Sequence, residues 1–156
     1  MDKKFALTGE TIIVEGHTLH RIKAVRDFGH VKAGDLGGFI EAERNLCHEG
    51  TCFVFDDACV FHAAVVADDA VVRDHALVKD HAVVRDFALV KDRALVRDHA
   101  TIRDHATIRD HGCVEGVATV ARRAVVDEHA TVTDRALVLN GTVGRHEFIH
   151  GDHVIF

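Results

Sequence analysis

The sequence predicts an all-β coil of short stacked strands, and three observations predict it. Residues 52 to 141 divide into fifteen consecutive six-residue units with no insertion or deletion, as in Ala70-Val71-Val72-Arg73-Asp74-His75 followed by Ala76-Leu77-Val78-Lys79-Asp80-His81. The third position of every unit is Val or Ile, from Val54 to Val138, and the first is Ala except at Cys52 and Gly112. Asp fills ten of the fifteen fifth positions. A short strict period means that no unit is stable alone, so stacking neighbours must create the core.

The unit itself reads as a strand and a bend. On a helix, a six-residue step turns about 240° and would scatter the valines over three faces, so a helix is excluded. In an extended chain the first and third positions share one side, while the second and fourth share the other. Ala and Val therefore line the interior, and the charged fourth position faces water. The bend falls at positions five and six, where Asp56, Asp68, Asp74, Asp80, Asp86, Asp92, Asp98, Asp104, Asp110 and Asp134 supply corner chemistry. Asp bonds backbone two residues on and tolerates turn conformations.

The flanks read differently. Residues 1 to 45 predict a cap. In it Thr11-Ile12-Ile13-Val14 pairs with Leu19-His20-Arg21-Ile22-Lys23-Ala24-Val25 as a hairpin about Glu15-Gly16, and the Gly34 to Gly38 stretch is a loop leading to the first strand. A solenoid needs such a cap because an open end exposes unpaired backbone and apolar side chains. Residues 46 to 147 form the coil. After 141 the Val/Ala signature is lost, and residues 148 to 156 finish apolar, as a strand that closes the last turn or pairs with another chain. The 156 residues, 47% hydrophobic with no run of about 18 apolar residues, predict one domain and no membrane span. The N-terminus lacks the apolar run of a secretory signal, which points to a cytoplasmic location.

The pattern Val/Ile-x-x-x-Ala-x resembles the hexapeptide-repeat superfamily, over roughly residues 45 to 156. That resemblance implies a left-handed parallel β-helix of three strands per turn and about five turns. The segment Arg21-Ile22-Lys23-Ala24-Val25-Arg26-Asp27-Phe28, with Val31-Lys32-Ala33-Gly34-Asp35-Leu36-Gly37-Gly38-Phe39-Ile40 after it, is similar to the head of a group of bacterial and phage hexapeptide proteins often labelled acyltransferases. Three units per turn place residues eighteen apart in one stack, about 4.8 Å from each other.

Chemistry-bearing residues are then sorted by stack. Cys59 and Cys113 fall on one face three turns apart, about 14 Å, too far for a disulfide; Cys52 takes an interior slot, and Cys47 lies in the lead-in. Six histidines hold sixth positions: His75, His81, His99, His105, His111 and His129. Only the pairs His81 with His99 and His111 with His129 are one turn apart and within reach of a shared metal, and two ligands do not make a tight site. No metal, cofactor or catalytic residue is assigned. Full protonation of the fourteen histidines moves the formal charge from −6 to as much as +8, so acid should alter solubility or association.

The fourth position is basic through seven units, Arg73, Lys79, Arg85, Lys91, Arg97, Arg103 and Arg109, and each is followed by Asp. The fields nearly cancel, and the acidic balance argues against nucleic-acid binding; no membrane partner is expected either. The second position is the candidate interface: Phe53, Val71 and Leu89 on one face, Leu77 and Leu95 on the second, Val65 and Val83 on the third, with Phe55, Phe61 and Phe87 as added aromatic surface.

The function expected is therefore a non-catalytic β-helical binding and assembly module. It is homo-oligomeric, as a trimer or a dimer, and cytoplasmic, with a protein target; the resemblance is to bacterial and phage proteins alike, and if the chain is phage-encoded the target is a host protein in the host cytoplasm. The first alternative, carried by the resemblance, is an acyl-coenzyme A-dependent acyltransferase with an intersubunit site, although the register offers no inserted loop to build a pocket. The second is an acidic inhibitor that imitates nucleic acid.

Overall fold

A computed structural model describes residues 2–156. The chain opens with a hairpin, β1 (Phe5–Val14) and β2 (His17–Ala24), followed by β3 (Leu36–Ile40) and one 3₁₀ turn at Glu43–Asn45. Two-residue strands come next at six-residue intervals, from β4 (Phe53–Val54) through β18 (Leu137–Val138). Three more, β19 (Thr142–Val143), β20 (Phe148–Ile149) and β21 (Val154–Ile155), complete the fold. Strands three apart pair in parallel and build three sheets: β1-β2-β3-β5-β8-β11-β14-β17-β20 (sheet I), β4-β7-β10-β13-β16-β19 (sheet II) and β6-β9-β12-β15-β18-β21 (sheet III). The product is a three-sided parallel β-solenoid of about six turns.

The period explains the hydrogen bonding as well as the core. Val71 N–H donates to Ala88 C=O (3.0 Å), Arg73 to Val90 (3.0 Å) and His75 to Asp92 (2.8 Å), so the even positions of one turn donate to the odd positions of the next. First-position Ala and third-position Val or Ile are at most 1% exposed from Val54 through Val138 and form one continuous cluster. Burial of those apolar groups, repeated turn after turn, is the main favourable term.

Each corner works through Asp, but not as the sequence suggests. All ten fifth-position Asp residues adopt φ between 54° and 60°, the left-handed region that Asp tolerates better than most side chains. Their carboxylates do not bond backbone two residues on. Instead Asp74 Oδ2 accepts the N–H of Asp92 (3.1 Å), Asp80 that of Asp98 (3.1 Å) and Asp98 that of Gly116 (3.0 Å), each eighteen residues later. The left-handed corner turns the fifth N–H along the coil axis, where the strand ladder has no acceptor for it, and the carboxylate one turn below takes it.

Two further expectations are corrected here. Gly37 and Gly38 belong to β3 rather than to a loop, and their lack of a side chain serves close packing there: a Cβ at either position would lie 2.5 Å from a backbone carbonyl, of Val54 and of Ala58. The coil also runs past the loss of the Val/Ala signature after 141 and past its expected bound of 147. Val125 pairs with Thr142 and Val126 with Val143, seventeen residues on rather than eighteen. The unit that begins at Ala136 is one residue short, Gly141 takes the first position of the next, and positive φ recurs at Arg145 and Gly151 in the displaced register. The tail therefore adds rungs, with Phe148 over Thr131 and Val154 over Leu137, and leaves Phe148 and Phe156 exposed.

At the other end the coil is plugged. Phe5, Phe28, Val31 and Leu46 are buried in the same cluster as the coil interior. Lys4 is fully buried with them, its ammonium donating to the carbonyls of Glu49 and Gly50 (3.3 Å each), 3.2 Å from Cys52 Sγ and 4.9 Å above the Phe28 ring. No helix among the described residues is long and apolar enough to cross a membrane.

Candidate functional site

The second-position side chains stand on the three outer faces, and from Val65 to Leu137 each is half-covered by its neighbours along the strand ladder. Val71 and Leu89 lie in register on sheet II, Leu77 and Leu95 on sheet I, and Val65 and Val83 on sheet III. Phe53 is aligned with Val71 as the spacing requires, yet it is fully buried and cannot be part of an interface. Phe28 covers it edge-on at 5.3 Å. Phe61 is also fully buried, beneath the hairpin with Leu19, Phe39 and Cys59, and is not added surface. Leu77 packs against the margin of that cluster. Phe87 does stand in solvent, 58% exposed, stacked on His105 at 4.9 Å.

Sheet III is the face the rest of the chain leaves open. Its rungs Val65, Val83, Thr101, Thr119 and Leu137 are half-buried throughout. Sheet I loses its first rungs to the hairpin, and sheet II loses Phe53 to the segment that carries Phe28. The margins differ too. Fourth positions on sheet III are Ala67, Arg85, Arg103, Ala121 and Leu139, one apolar or small residue after another broken by two arginines, against Phe55, Arg73, Lys91, Arg109 and Asp127 on sheet II, where only Phe55 is apolar. Val117 and Phe87, 57% and 58% exposed, flank sheet III at its two corners.

The histidine pairs come together, but as stacks. His81 lies on His99 with ring centroids 4.8 Å apart and planes within 17°, and His111 lies on His129 at 4.7 Å and 3°. A shared ion must lie in the plane of both rings, about 2.0–2.1 Å from each nitrogen. Rings stacked in nearly parallel planes offer no such point. His146 extends the second stack, 4.8 Å from His129; the one-residue slip at Asn140 hides it from a strict count of six. No group of three His, Cys, Asp or Glu side chains able to hold a metal occurs among the described residues.

Several other titratable groups are buried or held in structural contacts. Burial pushes the thiols of Cys59 and Cys113 up to about 11, so neither is a thiolate nucleophile at neutral pH. The corner groove lined by Asp74, His75, Asp92, Arg93, Asp110 and His111 contains three carboxylates, each accepting a backbone N–H from the turn above. Arg97 pairs with Glu115 (2.7 Å) and Arg109 with Asp127 (2.9 Å), turn to turn. These pairs, together with Lys79–Glu15 (2.8 Å) and Arg–Asp neighbours such as Arg103–Asp104 (3.4 Å), offset most of the basic ladder within the molecule.

A denser charged cluster lies at the hairpin tip. Glu41 binds His17 Nδ1 (2.8 Å) and accepts the His62 N–H (2.8 Å), while the His62 ring meets Asp80 (2.9 Å). The His17 contact first, then the His62 N–H, holds the Glu41 carboxyl below its ordinary 4.5 against the opposing effect of burial. A depressed carboxylate contributes stability above its ordinary value and loses that contribution as pH falls through the folded value. Glu41→Gln is therefore expected to lower the melting temperature at pH 7, with the gap to the parent protein closing below pH 4.5. Paired thermal melts across that range check it; a gap that persists unchanged at pH 3 to 4 contradicts it.

No protein-family profile matches this chain, and no curated protein matches it. The resemblance to hexapeptide-repeat proteins thus stands on the residues quoted for it.

Proposed function

We propose that this protein is a non-catalytic β-helical module of the hexapeptide-repeat type, with the left hand usual to that type, and that it assembles with copies of itself through sheet III. The observation that carries this reading is the contrast among the faces. Sheet III alone runs uncovered from rung to rung, with branched or apolar second positions, small or apolar residues at three of its five fourth positions, and an exposed apolar side chain at each margin. Interfaces are depleted of charge at their centre and enriched in aromatic groups, and this face matches that composition better than the other two. A rigid coil with a filled interior also gives a flat surface that changes little on association, which limits the ordering cost of binding.

The expected result is a sedimentation or light-scattering mass that is a multiple of 17.1 kDa and falls to one protomer on Val83→Lys or Thr119→Lys. The matching change Leu89→Lys on sheet II leaves the assembly intact. A protein that stays at 17.1 kDa at all concentrations overturns the reading, as does equal sensitivity of the two faces.

A further inference from the structure

The hairpin packs in two parts that belong to different cores. At its base, Phe5 pairs with Ala24 and Leu7 with Ile22, and Phe5, Ile22 and Ala24 join the cluster that runs through the coil. At its tip, Leu19, Ile12 and Val14 lie on the outer side of sheet I, over Phe39, Cys59, Phe61 and Leu77, in a small cluster separate from the main one. The pairing register shifts between the two parts on both ladders, between Leu7 and Thr11 in β1 against β2 and between Arg21 and Lys23 in β2 against β3. Arg21 pins the hairpin to the coil at this boundary, donating to Gly37 C=O (2.8 Å) and Asp56 C=O (3.0 Å) and lying 4.2 Å over the Phe39 ring.

The tip is fastened by charge. Lys79 Nζ reaches back to both carboxylate oxygens of Glu15 at 2.8 and 3.0 Å, and Lys79 is only 14% exposed in its side chain. His17 holds Glu41 on the coil and sits edge-on to His62 at 4.3 Å. Above this latch the tip is largely in water, with Ile13 76% exposed and Gly9, Glu10 and Thr11 exposed beside the register shift. A segment with a small separate apolar cluster and an irregular ladder at its root opens at lower free energy than the body it rests on.

We propose that residues 8–20 form a strap that opens as a unit about the two register shifts, held shut by the Glu15–Lys79 and His17–Glu41 contacts, and that its opening uncovers Cys59 and the first rungs of sheet I. The device is intramolecular and does not depend on the assembly reading above. Closed, the strap ends the free part of sheet I at Leu95. Open, it adds Cys59 and Leu77 to the stack that runs through Leu95, Cys113, Thr131 and Phe148.

Cys59 and Cys113 make the proposal measurable, because they occupy the same position of the same sheet, one under the strap and one beyond it. Burial raises both thiols to about 11, so acidity does not set them apart in the closed state, and opening the strap speeds alkylation of Cys59 both by access and by relief of that burial. The full chain is treated with iodoacetamide at pH 8, and the modified cysteines are located by peptide mass mapping. In the parent protein Cys59 reacts more slowly than Cys113. Glu15→Gln, a change at the exposed turn, raises the Cys59 rate by about threefold, the opening expected from loss of one ion pair. Leu19→Ala raises it by about thirtyfold or more, from loss of a buried apolar contact. Cys52, fully buried inside the coil, reports global unfolding and keeps its rate in both variants. A Cys59 rate that is unmoved in both variants, or that rises only in step with Cys52, overturns the strap.

Discussion

Ile102→Ala is expected to lower the unfolding free energy by about 2–5 kcal/mol, the range for deleting a buried branched side chain. Ile102 is fully buried between Val84 below and Val120 above, the central rung of the sheet III column. The cavity cannot relax by moving the chain inward. Thr101 and Arg103 donate to Ala118 and Val120 of the next turn (3.0 Å each), while Ala100 accepts from Val83 of the previous one (3.0 Å), so the backbone is tied on both sides. Stability in a solenoid is close to a sum over adjacent repeats, and a lesion mid-coil weakens two turn interfaces at once. Thr101→Ala, one residue away but facing outward, should cost less than about 1 kcal/mol. Urea melts of the two variants check the contrast, and equal losses would mean that the interior column does not carry the stability.

At the corners, Asp98→Ala is expected to cost about 2–3 kcal/mol, from left-handed strain and an orphaned N–H together. Asp98 sits at φ 58°, accepts the Gly116 N–H at 3.0 Å and donates its own N–H to Asp80 at 3.1 Å. Three substitutions separate the contributions. Asn tolerates the left-handed conformation and offers an amide oxygen to Gly116, so Asp98→Asn loses least. Asp98→Gly keeps the conformation without strain but loses the acceptor. Asp98→Ala loses both, and melting temperatures should fall in the order Asp, Asn, Gly, Ala. If Gly and Ala cost the same, conformational strain contributes nothing at this corner; if Asn costs as much as Ala, the acceptor and the φ preference are both irrelevant.

Much of this was legible in the residues, because a period-six pattern forces a two-sided answer. Val96 and Ala94 had to face one way and Leu95 the other, and that follows from strand geometry without any knowledge of the surroundings. The stacking of His81 on His99 and of Phe53 on Val71 needed one thing more, the three units per turn that the resemblance implied, since a period of six does not itself fix the number of sides. The acceptor of each corner Asp was not legible, since an Asx bond two residues on and a bond eighteen residues on are equally compatible with one-dimensional spacing. Nor was the slip at Asn140 visible to a strict count, although Thr142-Val143 and Phe148-Ile149 repeat the outward-inward pair one residue early. At Phe53 and Phe61 the inference failed for a different reason: local pattern says which side of a strand a residue occupies, not what else comes to lie on that side.

The amino-acid order thus sets the architecture. Every sixth residue is apolar, small residues alternate with branched ones, and Asp stands where the chain must bend, so interior, faces and corners follow from local sterics and the need to bury the same side of each strand. What the order leaves open is which parts of those faces remain free. That depends on where residues 2 to 45 come to rest. Phe28 settles over Phe53 and the hairpin tip over Cys59 and Phe61 through contacts 20 to 60 residues apart, which no repeat encodes. Sheet III is bare for the same physical reason: the lead-in meets it only at its first edge, where Leu46 bridges Val66, and does not lie over its outer rungs.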